Sequence, residues 1–424
     1  MEIKLSQLSE TLIGSEIVKL GGEIQEKIRK GEKIYNYTIG DFNPSIFPIP
    51  KELEDAIVDA YRKHFTSYPA AEGNLDLREA IVSFTKDMEG LDYGFSETLV
   101  ASGGRPLIYS LFRAICDKGD NIIYAVPSWN NNHYTHFVEG RHIVIEAGAE
   151  NNFMPTADSI KPYIKEATLI ALCSPQNPTG TTFTKKELEA ICDLIIEENM
   201  RRGENEKKLY VLYDQMYWHL TYGNIQHYNP VSLRPAMRQY TVFVDAISKV
   251  FAATGVRVGW SFGPADIIGK MKAILTHIGA WAPMAEQKAT AHFLSNNREG
   301  IKKYLLNFKK EIEERLREIY KGFMELKKEG YCVDAIAPEA AIYLTIKIDL
   351  TGKKTADGKI LKDQSDVTAY LLSEARIAVV PFYAFGADRS SAWYRLSVGT
   401  CKKEEIGEML TSLRNALGKL QTAL

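Results

Sequence analysis

The chain has 424 residues, enough for a large core and two or three domains, and its 45% hydrophobic and 25% charged content is that of ordinary globular proteins. A net charge of −2 argues against a broad nucleic-acid or membrane-binding surface. No run approaches ~20 apolar residues, the length of a membrane-spanning helix, and the N-terminus lacks the apolar stretch of a secretory signal.

The cysteines are odd in number and widely scattered, and no pair has the spacing of metal ligands. They are Cys116, Cys173, Cys192, Cys332 and Cys401. We expect reduced thiols in the core of a cytoplasmic protein, and no metal site.

The first part of the chain is predicted to hold an arm and one helix, residues 16–30, which Gly31 ends. Residues 35–44 then form a strand and a turn, in which Gly40 lets the backbone approach a ligand. An amphipathic helix is predicted at residues 75–88.

From residue 99 onward the pattern is a strand, a turn and a helix, repeated. The strand candidates are residues 99–101, 122–126, 143–147, 169–173, 209–213, 242–244 and 260–262. The clearest helix begins at Thr184, where Thr184 and Glu187 have the spacing of a capping box. This alternation predicts an α/β domain whose mostly parallel sheet lies between helices, with ligands at the carboxyl ends of the strands.

The pattern changes after about residue 290. It predicts a long charged helix (299–329), an antiparallel strand with one buried face (341–348), a helix (366–375), two strands (377–380 and 394–398) and a final helix. We therefore predict a large domain over residues 37–290 and a smaller α+β domain built from residues 1–36 and 291–424.

A lysine follows the buried strand just past the middle of the chain. Lys249 at the carboxyl end of such a strand is poorly hydrated, which favours the free amine and makes it a nucleophile toward an aldehyde. Arg257, eight residues later, offers a charged fork suited to a phosphate. Taken alone, Lys249 is more simply explained as an ordinary loop lysine.

Four further segments stand at strand ends. They are Ser102-Gly103-Gly104-Arg105-Pro106, Pro127-Ser128-Trp129-Asn130, Ser174-Pro175-Gln176-Asn177-Pro178-Thr179-Gly180 and Tyr213-Asp214-Gln215-Met216-Tyr217. The first can receive a phosphate at a helix start, Trp129 offers a flat apolar face, and Asp214 is unfavourable to bury without a partner. Each has a simpler explanation, as a glycine turn, a core aromatic, an Asn-Pro turn or a helix N-cap.

Together, in this order, the segments resemble the class I/II aminotransferases of the aspartate aminotransferase superfamily (fold type I), which depend on pyridoxal 5'-phosphate (PLP). The resemblance runs from about residue 35 to 400. It implies that Lys249 carries PLP as a Schiff base and that Trp129 stacks on its ring. It also implies the remaining cofactor contacts: Gly103, Gly104 and Arg257 at the phosphate, Asn177 and Tyr217 at the phenolic oxygen, and Asp214 at the pyridine nitrogen.

The same resemblance implies how substrate is held. Arg395, in Tyr394-Arg395-Leu396-Ser397-Val398-Gly399, matches the arginine that clamps the substrate α-carboxylate, a task suited to its bidentate fork. Gly40 and Asn177 are expected beside that carboxylate. Tyr68 matches a tyrosine that reaches the phosphate of the neighbouring subunit, so we expect a homodimer with shared active sites.

Two positions depart from the family pattern. Ala246 stands where a serine usually touches the phosphate, and the nearby hydroxyl is at Ser248, which becomes a candidate phosphate ligand. Arg105 stands where the family usually has a small or hydroxyl residue. We hypothesise that Arg105 adds charge at the phosphate and offsets the missing serine.

The expected activity is that of a transferase moving an amino group from an L-amino acid to a 2-oxo acid. Lys249 would act as base and acid, with Asp214 and Tyr217 as the other catalytic groups. A PLP-dependent lyase on the same scaffold is the nearest alternative. A PLP-binding regulator is disfavoured, because only about 35 residues precede the large domain.

The Trp129 segment favours aspartate-type or aromatic substrates. Residues 276–283, where a second substrate-binding arginine is expected, contain no arginine, so the identity of the amino donor stays open.

Overall fold

The computed structural model describes residues 4–12, 14 and 16–422 and contains a seven-stranded and a four-stranded sheet. The strands are β1 (Tyr35–Asn36), β2 (Thr98–Ala101), β3 (Asn121–Val126), β4 (Arg141–Glu146), β5 (Ala167–Cys173), β6 (Tyr210–Asp214), β7 (Thr241–Ala246), β8 (Gly259–Phe262), β9 (Val333–Ala335), β10 (Tyr343–Ile348), β11 (Lys353–Lys354), β12 (Ile377–Ala378), β13 (Val380–Pro381), β14 (Trp393–Ser397) and β15 (Gln421–Thr422).

Helices connect most of these strands. The α-helices are α1 (Gln7–Glu10), α2 (Glu16–Arg29), α3 (Lys51–Arg62), α4 (Leu75–Glu89), α5 (Gly104–Ile115), α6 (Asn131–Phe137), α7 (Ala157–Ile160), α8 (Lys185–Arg201), α9 (Pro230–Leu233), α10 (Ile247–Val250), α11 (Ala265–Ile278), α12 (Met284–Asn296), α13 (Arg298–Lys328), α14 (Gln364–Tyr370) and α15 (Ile406–Gly418). Short 3-10 helices span Phe95–Glu97, Ala149–Asn151, Lys161–Glu166, Pro235–Gln239, Phe382–Phe385 and Lys403–Glu405, and a π-helical turn spans Leu371–Ala375.

The large sheet has the strand order β2-β8-β7-β6-β5-β3-β4. All neighbouring pairs are parallel except those of β8, which runs antiparallel to both β2 and β7. Alternate residues of β7 enter different cores: Val242 and Val244 pack toward α5 and α11, and Phe243 packs toward α4, α8 and α12. The prediction of a mostly parallel sheet between helices is confirmed.

The smaller sheet is antiparallel, with the order β13-β14-β10-β9. The prediction that its strand over residues 341–348 buries one face is wrong, because Tyr343 to Ile346 are all buried. One face of β10 packs with α13, and the other is covered by the turn that follows β5 of the large sheet, where Thr345 Oγ1 donates to Thr179 O at 2.8 Å. A strand in the middle of a sheet and covered twice loses the alternation of a half-exposed strand.

Residues 377–380 were predicted as one strand but divide between two sheets. β12 pairs in parallel with β1, with Tyr35 opposite Ile377, whereas β13 pairs with β14. The continuous apolar run reflects burial on both sides and does not reveal the change of partner between Ala378 and Val380.

The predicted capping box at the start of α8 forms only in part. Thr184 accepts the Glu187 N–H at 3.2 Å, as an N-cap should. The Glu187 carboxylate does not return the bond but accepts the Ala157 N–H at 3.0 Å, because α7 starts beside it. Glu187 therefore ties two helices together.

The five cysteines are free, but they are not all core residues as expected. Cys332 is exposed in the turn that precedes β9, where its neighbour Val333 takes the buried position. Within the described part of the chain, no helix is long and apolar enough to cross a membrane.

Candidate active site

Most of the predicted site residues collect at one edge of the large sheet. Since β5, β6 and β7 run in parallel, their carboxyl ends meet there, and in register Cys173 lies opposite Asp214 and Asp214 opposite Val244. β7 continues directly into the short helix α10, which carries Lys249. The amine and the carboxylate therefore come from neighbouring strands.

Lys249 points away from the sheet toward the loop that contains Gly40. Its Nζ donates to Gly40 O at 2.6 Å and lies 5.9 Å from the Phe42 ring centroid and 5.8 Å from that of Tyr217. Burial lowers the pKa of Lys249 to about 8 against the opposing charge of Asp41. The positive charges of Arg395, Arg105 and Arg257 lower this pKa further. At pH 7 roughly a tenth of such a group is free amine, far more than for an ordinary lysine.

Asp214 closes β6 and turns its carboxylate into the same cleft. Its Oδ1 accepts the Met216 N–H at 3.1 Å, an Asx turn rather than the helix N-cap of the simpler explanation. Burial raises the pKa of Asp214 to about 6, because the Met216 contact offsets only part of the desolvation. A cationic partner would stabilise the ionised carboxylate here.

A cradle of backbone and guanidinium groups forms where β2 meets α5. Arg257 Nη2 donates to Ser102 O at 2.9 Å and Nη1 to Thr254 O at 2.6 Å. Gly103 has a φ of +85°, and a Cβ at this position would lie 2.1 Å from Arg257 Nη2. A Cβ on Gly259 would lie 2.7 Å from the Gly103 carbonyl carbon. Only glycine at positions 103 and 259 permits these close approaches. No side chain at these positions then stands between an anion and the start of α5.

Arg105 and Trp129 lie together beside the cradle. The Arg105 side chain is exposed, and its Cζ is 5.4 Å from the Trp129 ring centroid. Trp129 also packs against Phe385 at 6.3 Å between centroids. Ala246 and Ser248 are both buried at the end of β7 and in α10. Arg105 is thus a surface cation whose charge still lowers the pKa of Lys249 and Arg257.

Arg395, on β14, is the most deeply buried cation of the site. Nη1 donates to Asn177 Oδ1 at 3.0 Å and Nη2 to Thr38 O at 2.7 Å, while Nε has no hydrogen-bond partner within the described chain. The Tyr343 and Phe385 rings lie on it, each with its centroid 4.8 Å from Cζ. Its hydrogen-bonding partners are neutral, so a carboxylate entering the cleft would find an uncompensated guanidinium.

Gly40 lies where the amine and the guanidinium meet. A Cβ at this position would lie 2.9 Å from the Tyr343 hydroxyl and 3.5 Å from Arg395 Nη1. The Tyr343 hydroxyl itself lies 2.5 Å from that of Tyr217. The predicted Gly40, Asn177, Tyr217, Lys249 and Arg395 are therefore neighbours.

Tyr68 is the predicted residue that this single chain does not bring into the cleft. Its side chain is 83% exposed, and its ring meets Trp281 edge-on at 5.3 Å. Both rings line a surface groove. The groove is lined by Tyr61, Phe65, Thr66, Ser67, Tyr68, Pro69, Trp281, Ala282, Pro283, Met284, Ala285 and Glu286.

Three groups in the site escaped the sequence analysis. Tyr343 lies in the strand predicted over residues 341–348 and was assigned no role, although the hydroxyl of a tyrosine normally needs a partner when buried. Asp41, whose Oδ1 accepts the Thr254 hydroxyl at 2.7 Å, follows Gly40 directly, and that adjacency was the available signal. Thr38 contributes only its carbonyl oxygen, which no side-chain pattern reveals.

The chemistry of the site fits PLP. A glycine turn with Arg257 suits a phosphate, a carboxylate with a raised pKa suits a protonated ring nitrogen, and an amine with a lowered pKa suits an aldehyde. Arg395 with an unpartnered Nε remains for a substrate carboxylate.

Comparisons with known proteins agree with this chemistry. The family model for aminotransferase class I and II matches residues 38–413. A probable aspartate/prephenate aminotransferase of Rickettsia felis is 31% identical over 379 residues, covering 88% of this chain and 87% of its own. The aspartate aminotransferase structure from Rhizobium meliloti superposes with a TM-score of 0.89 at 26% identity, covering 99% of this chain and 100% of that one. The aromatic aminotransferase from Pyrococcus horikoshii OT3 gives a TM-score of 0.81 at 26% identity, with coverages of 93% and 98%.

Proposed function

This chain belongs to the class I and II aminotransferase family, and from that membership we propose that it transfers amino groups with PLP held at Lys249. One observation carries the proposal: an amine with a pKa lowered to about 8, a half-buried carboxylate with a pKa raised to about 6, and a buried guanidinium surround one cleft at the carboxyl edge of the mostly parallel sheet. Bound there, PLP would supply an electron sink for the pair left on the substrate Cα.

The residues that would hold the cofactor divide by the part they contact. Gly103, Gly104, Arg105, Ser248 and Arg257 are assigned to the phosphate, together with Tyr68 from a second subunit. Trp129 is assigned to the ring face, Asn177 and Tyr217 to the phenolic oxygen, and Asp214 to the ring nitrogen. A cation at that nitrogen would keep Asp214 ionised despite the burial that raises its pKa to about 6.

Substrate would be oriented by Arg395. Its fork can bind a carboxylate through two parallel hydrogen bonds, while Asn177 and the Gly40 backbone lie beside it. Because Lys249 Nζ already contacts Gly40 O at 2.6 Å, an amino acid held at Arg395 would present its Cα near that amine. Lys249 would then take the Cα proton as a free base and return one as an ammonium acid.

The wider assignments extend the same proposal. The substrates would be an L-amino acid and a 2-oxo acid. The protein would be a cytoplasmic homodimer with shared sites, with a large domain at residues 37–290 and a small domain at 1–36 and 291–424. The relatives above are named as aspartate, probable aspartate/prephenate and aromatic aminotransferases, so acidic and aromatic donors are the first to test.

The test is a half-reaction in which purified protein with PLP is mixed with one amino acid at a time. We expect the visible absorption of lysine-bound PLP to convert to that of the aminated cofactor, with release of a 2-oxo acid. Lys249→Ala should abolish both signals, whereas Lys270→Ala, which removes an exposed lysine of α11, should leave them unchanged. Release of ammonia without the aminated cofactor would instead identify the lyase alternative.

A further inference from the structure

Two buried tyrosine hydroxyls meet where the two sheets face each other. Tyr217 follows β6 of the large sheet, Tyr343 begins β10 of the small one, and their oxygens are 2.5 Å apart. The rings cross at 68° with centroids 5.5 Å apart, so the hydroxyls, rather than the ring faces, form the contact. One hydrogen bond thus joins a candidate cofactor ligand to the small sheet.

The Tyr343 side chain also lies against the groups assigned to substrate. Its ring centroid is 4.8 Å from Arg395 Cζ, and its hydroxyl is 2.9 Å from the position that a Cβ on Gly40 would take. The Gly40 carbonyl oxygen in turn accepts a hydrogen bond from the Lys249 amine. Any larger residue at position 40 would displace the Tyr343 hydroxyl.

Either hydroxyl could be the donor at this distance, so the charges around the pair decide which of them donates. Burial raises the pKa of both tyrosines, and the Arg395 charge is the largest opposing influence on Tyr343. The Arg395 cation over the Tyr343 ring favours a more acidic hydroxyl at this position, and the more acidic hydroxyl is the better donor.

We propose that Tyr343 is a positioning residue that donates its proton to the Tyr217 oxygen and thereby leaves the Tyr217 proton for the phenolic oxygen of PLP. Each hydroxyl has one proton to donate. Tyr217 can therefore donate to the cofactor only if Tyr343 is the donor in the hydrogen bond between the two tyrosines. The inference rests on the proposed function, because it takes Tyr217 as a cofactor ligand.

The test is a double-mutant cycle of Tyr343→Phe and Tyr217→Phe in the holoenzyme, read by titrating the visible absorption of bound PLP against pH. A donor at the phenolic oxygen stabilises the form in which that oxygen is more negative, so a weaker donor raises the pH midpoint. We expect Tyr343→Phe to raise the midpoint by roughly 0.5 in pH and the dissociation constant for PLP by about 2-fold. In the Tyr217→Phe background the same substitution should change neither quantity.

Kinetics supply a second readout. Tyr343→Phe keeps the ring against Arg395, so the KM for the amino donor should stay within about 2-fold while kcat falls roughly 5-fold. The matched control is Tyr222→Phe, a buried tyrosine of the same core whose hydroxyl donates to Ala341 O, and it should shift no midpoint.

The outcomes separate this inference from the function beneath it. An unshifted midpoint in Tyr343→Phe, or an equal shift with and without the Tyr217 hydroxyl, overturns the role of Tyr343 while wild-type transamination stands. A wild-type protein that shows no lysine-bound PLP absorption overturns the proposed cofactor and this inference with it.

Discussion

Lys249 and Asp214 are each held where their charged form is disfavoured. Burial lowers the pKa of Lys249 to about 8 and raises that of Asp214 to about 6, so the two titrate closer together than a free lysine and aspartate do. Such opposed shifts in one cleft are typical of functional sites, because a structural ion pair would move both values apart. Because their charged forms are disfavoured, these groups lower the free energy of unfolding of the apoprotein, and that free energy should depend measurably on pH.

Lys249→Met should stabilise the apoprotein at neutral pH. The folded pKa of about 8 lies below the ordinary 10.5, so between these values the unfolded chain keeps a proton that the folded chain has lost. The free energy of unfolding of the wild type therefore rises with pH across this window, and the penalty at pH 7 is on the order of 3 kcal/mol. Urea denaturation of the PLP-free proteins should give the variant the higher free energy of unfolding at pH 7. The difference from the wild type should shrink toward pH 10. An advantage that stays constant with pH would contradict the lowered pKa.

Arg105→Gln tests whether the exposed cation serves the phosphate. Its charge lowers the pKa of Lys249 and Arg257, and the loss of a charge-assisted contact should weaken PLP binding roughly 5- to 10-fold, measured by fluorescence titration of the apoprotein. Arg105→Lys, which retains the charge, should recover most of the affinity. If PLP affinity stays constant while the KM for aspartate rises and that for an apolar donor does not, the charge instead serves a second substrate carboxylate.

At the scale of elements, the turn between β2 and α5 controls how Arg257 enters the site. Its geometry depends on Gly103, which combines a φ of +85° with a guanidinium 2.1 Å from the position of a Cβ. The conformation and the contact are separate constraints, since the first strains the backbone and the second displaces Arg257.

Gly103→Ala should separate these two constraints when it is compared with Gly119→Ala. Gly119 has the same φ of +85°, but a Cβ there would meet nothing within 4 Å. Both variants should lose at least about 1 kcal/mol of stability from backbone strain, and Gly103→Ala more, because its ψ of −178° lies in a region that essentially only glycine occupies. Only Gly103→Ala should also lose PLP affinity, by more than about 10-fold, because Arg257 must move. Equal PLP affinities in the two variants would show that Arg257 tolerates the displacement.

The elements that the sequence predicts well are those whose determinants are local. Apolar runs bounded by turn residues predict the strands of the large sheet, because the burial of these strands is evident from residues adjacent in the chain. The second buried face of β10 could not be predicted, because Thr179, which covers it, lies 166 residues away in the chain. The division of residues 377–380 and the Tyr217–Tyr343 bond escaped for the same reason: both are pairings between distant segments.

At the scale of the whole molecule, the site depends on how the two sheets meet. Three hydrogen bonds join the turn after β5 to the small sheet and to the segment just before β10: Asn177 with Arg395 at 3.0 Å, Thr179 with Thr345 at 2.8 Å, and Gly180 with Ala340 at 2.9 Å. The segment containing Asn177 therefore also forms part of the contact between the two sheets. A second subunit would add Tyr68, which the single chain leaves exposed beside Trp281.

Hybrid dimers test whether active sites are shared. Tyr68→Ala and Lys249→Ala should each be defective alone, the first because the phosphate loses a ligand. If Tyr68 acts in the partner's site, a hybrid contains one complete site, formed by the lysine of the Tyr68→Ala subunit and the tyrosine of the Lys249→Ala subunit. Co-expression with random pairing makes half the dimers hybrid, so the mixture should regain about a quarter of the wild-type specific activity at subsaturating PLP.

The control for that experiment is co-expression of Lys249→Ala with Lys249→Met, in which no pairing restores a lysine and no activity should return. Purified hybrids, separated by different affinity tags, should show one PLP-binding site per dimer with wild-type affinity. If Tyr68 instead serves its own chain, the site that retains the lysine in each hybrid lacks the tyrosine. The hybrids would then bind PLP as weakly as Tyr68→Ala, because the exposed tyrosine would have no role across the interface.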